Sequence, residues 1–115
     1  MNAEEMKRRT KQFAIDVGHF ILDLPKNDLN RNYANQLIRC SSSVGANYRA
    51  VRRAKSKADF INKLKIVEEE LDESILFLEL LFEFNIDKRE RVMKIIQEGE
   101  ELLRIIVVSI NTSRG

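Results

Sequence analysis

Apolar residues recur along most of the chain at steps of three and four, the spacing that lines one face of an α-helix. Phe13, Val17, Phe20, Ile21 and Leu24 form the first such stripe, and Pro25 stops it, because proline has no N–H to continue the ladder. Pro25 to Asp28 reads as a loop. Tyr33, Leu37, Ser41, Val44, Tyr48 and Val51 make the second stripe. Phe60, Leu64, Val67, Leu71, Ile75, Leu78 and Phe82 make the third, which alternates steps of four and three for more than three heptads. Val92, Ile95, Gly99, Leu102, Ile106 and Ser109 carry the fourth, widened by Ile96, Leu103, Val107 and Ile110.

The punctuation agrees with the stripes. Ser56 with Asp59 three residues on is a helix start, Asn85 a stop, and Asp87-Lys88-Arg89-Glu90 repeats the start signature. These signals predict helices over about 3–24, 29–54, 57–84 and 88–111, with Asn111 to Gly115 fraying. Short connections between amphipathic helices imply antiparallel neighbours. The expected fold is therefore all-α: one domain, an antiparallel up-down-up-down four-helix bundle. Between Cys40 and Ala46 nearly every residue is small, so a neighbouring helix can come close there. Gly45, inside that run, weakens the helix it belongs to.

Composition supports the same class. The 115 residues include four glycines, one proline and no tryptophan, too little punctuation for many short strands. Residues 1–11 are too polar for a signal peptide, and no later run is apolar for long enough to span a bilayer. A lone cysteine, Cys40, allows no internal disulfide, and a cytoplasmic location is expected.

Charge changes the picture more. The formal net charge is +2, yet Arg39 to Lys65 holds eight Lys/Arg against Asp59 alone, and Ile66 to Asp87 holds eight acids and no base. Each region invites a partner of opposite sign. Arg49, Arg52 and Arg53 fall at i, i+3 and i+4 and so share a helix face, which Lys55 and Lys57 extend across the turn. Such a cluster can neutralise several phosphates of RNA or DNA, with an affinity that falls steeply with salt. With only Tyr48 nearby, base stacking and sequence reading are not expected. The same cations also fit a solvated helix end paired to the acids of the third helix. A second cluster, Lys7-Arg8-Arg9 with Lys11, is either a fraying extension or part of the same positive surface.

No catalytic set assembles. His19 is the only histidine, so the Glu-x-x-His pairs of a di-iron bundle are missing, and no metal or cofactor is expected. There is no phosphate loop, dinucleotide fingerprint or zinc spacing. Ser41 to Ser43 and Cys40 read as small packing residues, and Asn47 as a polar residue that bonds across helices to fix their register.

Gln36-Leu37-Ile38-Arg39-Cys40-Ser41-Ser42-Ser43-Val44-Gly45-Ala46-Asn47-Tyr48 and the stretch from Arg53 to Leu64, running on through Glu69 to Leu81, carry a family resemblance. The order of small run, Ala-Asn, basic stretch and Ser-x-x-Asp-Phe is not generic to bundles. It resembles the bacterial four-helix-bundle family named after proteins encoded in intervening sequences of 23S ribosomal RNA genes. That family includes the accessory variability protein of diversity-generating retroelements. The similarity runs from about Phe13 to Ile110. It implies an antiparallel bundle assembled as a homo-oligomer, a pentameric ring. For the retroelement branch it implies nucleic-acid binding and contact with a reverse transcriptase. Where the family carries Ile-Pro-Ala-Asn and then Glu-Gly, this chain has Val44-Gly45-Ala46-Asn47 and then Ala50-Val51.

Two readings of function stand. The protein is a non-enzymatic accessory factor that grips nucleic acid through Arg49, Arg52, Arg53, Lys55 and Lys57, or it is a protein-interaction scaffold whose charges serve ring assembly.

Overall fold

The four stripes become four helices in a computed structural model that describes residues 2–115: α1 (Ala3–Leu22), α2 (Asp28–Val51), α3 (Lys57–Phe84) and α4 (Arg89–Arg114). A single 3₁₀ turn, Ile86–Lys88, precedes α4. No strand occurs among the described residues. At about 1.5 Å per residue, the longest helix matches the 45 Å long axis, and the other two axes are 20 Å each. Each helix packs against its two neighbours in the cycle α1–α2–α3–α4. Rising numbers on α4 meet falling numbers on α1, as in Arg9 with Glu98 and Arg91 with Asp23, so the neighbours are antiparallel. This is the expected up-down-up-down bundle.

The stripes meet on the axis. Phe13, Val17, Phe20, Leu37, Val44, Leu64, Val67, Leu71, Leu78, Leu102 and Ile106 are all fully buried or within a percent of it. Met6 and Thr10 extend the α1 stripe by two turns beyond its expected start and are buried too. Gly45 does not interrupt α2. Its Cα faces Thr10, whose backbone is 3.7 Å from where a Cβ would stand, so the small run does bring α1 and α2 together.

The helix ends depart from expectation for local reasons. α1 stops at Leu22 rather than 24, because Asp23 and Leu24 donate to Phe20 and Ile21 three residues back and Pro25 follows. α2 stops at Val51 rather than 54, since Arg53 and Ala54 likewise bond three residues back. α4 runs to Arg114 instead of fraying from Asn111. Ser56 caps α3 as read, accepting from Asp59 N at 3.0 Å, while Asp59 Oδ2 accepts from Lys55 N at 3.0 Å. The repeated signature at Asp87 is not used: α4 has no side-chain cap, and the 3₁₀ turn feeds it directly. Asn27, inside the expected loop, instead caps α2 by accepting from Asn30 N at 2.8 Å.

Among the described residues Asn47 makes no bond across helices. Its amide donates to Ser43 O on its own helix at 2.8 Å, because its side chain lies along α2. A buried amide pair is instead formed by Asn30 on α2 and Asn85 just past α3, at the opposite end of the bundle.

Candidate nucleic-acid interface

Antiparallel packing puts the start of α1, the end of α2, the start of α3 and the end of α4 at one end of the molecule. Both basic clusters therefore meet there. Arg49 lies in the last turn of α2, Arg52 caps it, Arg53 and Lys55 occupy the connection, and Lys57 opens α3. All five are exposed. From α1, Lys7 and Lys11 stand one turn apart on one face. Lys11 and Arg49 border the same shallow groove of about 280 Å³, floored by Ala14, Ser42, Gly45 and Ala46.

The five cations are not equivalent. Arg52 is tied to Glu4 of α1 at 2.9 Å, and this contact holds the Glu4 carboxyl below its usual range, with Lys7 adding to the effect. Arg49, Arg53, Lys55 and Lys57 make no ion pair among the described residues. Arg9 turns away from its cluster and binds Glu98 and Glu101 of α4. The single acid at the α2–α3 turn, Asp59, is engaged by Lys63 at 2.6 Å and by the Lys55 N–H, which together lower its pKa.

Tyr48 is only 8% exposed, and burial raises the pKa of its hydroxyl. Its ring is core, so it offers nothing for a base to stack on. Phe60 is also packed against the core.

The acidic stretch divides. Glu70 and Glu73 approach Arg39 of α2, whereas Glu68, Glu69 and Asp72 line a groove over Leu103 and Val107 with no ion-pair partner among the described residues. One Glu70 oxygen is buried without a hydrogen bond, and burial, followed by the charge of Glu73, raises its pKa. Cys40 is fully buried beside Ser74 at 3.3 Å, and desolvation raises its thiol pKa. His19 is exposed at the end of α1 and borders a groove with Asp16, Arg91, Lys94 and Glu98. Among the described residues no group of three or more His, Cys, Asp or Glu is placed to hold a metal ion. No described helix is long and apolar enough to cross a membrane.

The family model of the 23S rRNA-intervening sequence protein matches residues 3–108. The chain belongs to that family. Among solved structures, the 23S rRNA-intervening sequence protein fold here is similar to a protein of unknown function from the S23 ribosomal protein family of Bacteroides thetaiotaomicron. The TM-score is 0.82 and the identity 30%, over 91% of this chain and 97% of that one. No curated protein matches the chain. Family membership fixes the bundle and brings no catalytic assignment with it.

The sequence left open that the basic cations pair with acids of the third helix and that Lys7 to Lys11 join the same positive surface; Arg52 pairs instead with Glu4 of α1, and Lys11 borders the groove with Arg49. The Lys7–Lys11 spacing and the up-down topology were the available signals for the second of these.

Proposed function

We propose that this protein is a non-enzymatic accessory factor that binds RNA or DNA through the phosphate backbone at the basic end of the bundle. One observation carries this reading: the side chains of Arg49, Arg53, Lys55 and Lys57 are exposed around the α2–α3 connection and form no ion pair with a carboxylate among the described residues. Unpaired cations are the ones that can release counterions from a phosphate chain, and their number sets the salt dependence. The similarity to a member of a ribosomal protein family supports an RNA setting. Binding measured by gel shift at two salt concentrations tests it. Salt-sensitive binding that is lost in Arg53→Glu/Lys55→Glu is the expected result, and salt-independent binding or none overturns it.

A second reading is favoured by Glu68, Glu69 and Asp72, which have no cation partner within the chain among the described residues. A second copy presenting its basic end would supply one, in a head-to-tail homo-oligomer such as the pentamer the family implies. Light scattering at low and high salt distinguishes the two: a monomer at every salt concentration removes the scaffold reading.

A further inference from the structure

Resting on the phosphate-binding reading above, we infer that the ligand is double-stranded nucleic acid, held by both of its backbones.

The cations at the basic end form two rows on different elements. Lys7, Arg8 and Lys11 stand on α1; Arg49 stands at the end of α2, Arg53 and Lys55 in the connection after it, and Lys57 at the start of α3. Lys11 on the α1 side and Arg49 on the α2 side border the shallow groove between these helices, and the other cations lie beyond them toward the same end of the bundle. Packed helices lie about 8–10 Å apart, and lysine and arginine side chains reach outward from each. Two rows at that separation straddle a duplex groove of about 6–12 Å and meet phosphates of both strands. A single strand has one backbone and can satisfy one row.

Single strands gain their compensation elsewhere, from bases stacked on aromatic rings. Among the described residues this end offers no exposed ring: Tyr48 is buried, Phe60 is packed against the core, and the exposed Phe84 is at the far end of α3. The groove floor of Ala14, Ser42, Gly45 and Ala46 carries no long side chain that reaches base edges. With phosphate contacts alone, the higher charge density of a duplex decides the preference.

The salt dependence follows from counting. Seven cations on a duplex give a slope of log affinity against log salt of about −6, and four on a single strand about −3. Fluorescence anisotropy on the full chain, with a short RNA duplex, a DNA duplex of the same sequence and an unstructured single strand, measures all three. Both duplexes should bind at least about ten-fold tighter than the strand near 0.1 M salt, with the steeper slope. Lys7→Gln/Lys11→Gln should lower the duplex slope by about 2 and leave the strand slope nearly unchanged. Circular dichroism on the variant should match the parent, since both lysines lie outside the core. Equal or tighter binding of the single strand overturns the duplex inference and leaves phosphate binding intact. No binding of any of the three overturns both.

Discussion

Asn30 and Asn85 exchange two hydrogen bonds in the buried end of the bundle, Asn30 Nδ2 to Asn85 Oδ1 at 3.0 Å and Asn85 Nδ2 to Asn30 Oδ1 at 2.9 Å. Each amide also donates to a backbone carbonyl, Asn30 to Pro25 at 2.9 Å and Asn85 to Leu81 at 3.0 Å. The pair thus joins the α1–α2 connection, the first turn of α2 and the end of α3. Removing one partner leaves the other amide its bond to a backbone carbonyl but strands its buried carbonyl oxygen without a donor. Asn85→Ala should lower unfolding free energy by about 1–3 kcal/mol in urea melts. Asn30→Leu/Asn85→Leu should lose less than the two single changes added together, since neither polar group is then stranded.

The glycines separate by what surrounds them. A Cβ on Gly99 would lie 3.2 Å from Phe13 Cε1 and 3.3 Å from Ile75 Cγ1, both buried, so α4 closes on the core only because that atom is missing. Nothing lies within 4 Å of a Cβ on Gly18. Gly18→Ala should therefore raise stability by about 0.5–1 kcal/mol through helix propensity alone. Gly99→Ala gains the same propensity but overpacks the core, and a net loss of about 1 kcal/mol is expected. Urea midpoints in opposite directions would bear this out, and a stabilised Gly99→Ala would refute the close packing.

Glu70 predicts an unusual pH response. Its folded pKa is raised above the ordinary 4.5 by burial and by Glu73, so the native state holds this proton more tightly than the unfolded chain. Stability from this group is then greatest below 4.5 and declines as pH rises through the raised value. Asp59, Glu4 and Asp23, whose pKa values are lowered by cation partners, act in the opposite sense and cost stability as pH falls toward theirs. Glu70→Gln should flatten the decline above pH 4.5 and leave the acid limb in place. Thermal melts across pH 3 to 8 would show it, and an unchanged profile would count against the burial of that carboxylate.

Arg52 and Arg53 are neighbours with different expected roles. Arg53→Gln should reduce the salt slope of nucleic-acid binding by about 1, whereas Arg52→Gln should change it less because Glu4 already occupies that guanidinium. Glu4→Gln releases Arg52 and removes a negative charge from the basic end. Tighter binding with a slope steeper by about 1 is expected, measured by anisotropy on the same duplex.

Much of the fold was legible beforehand because it is periodic. Leu64, Val67, Leu71 and Leu78 declare a helix and its inner face within a few turns, and Ser56 declares where it starts. The ends were less legible. Val51 and Leu22 close their helices through bonds three residues back, which compete with the helical bond by small local margins. Of the candidate site, residue types were legible and availability was not. Arg49, Arg52 and Arg53 look alike at their spacing, yet one of them is paired with a residue 48 positions away.

The sequence by itself determined four amphipathic helices, their inner faces and the segregation of basic and acidic stretches, because side-chain periodicity and charge are properties of short windows. Only the tertiary structure decided that Asn30 rather than Asn47 bonds across helices, that Arg52 is paired with Glu4, and that Lys11 shares a groove with Arg49. Those facts depend on which helix ends meet, and antiparallel packing brings together residues whose separation along the chain no local pattern encodes.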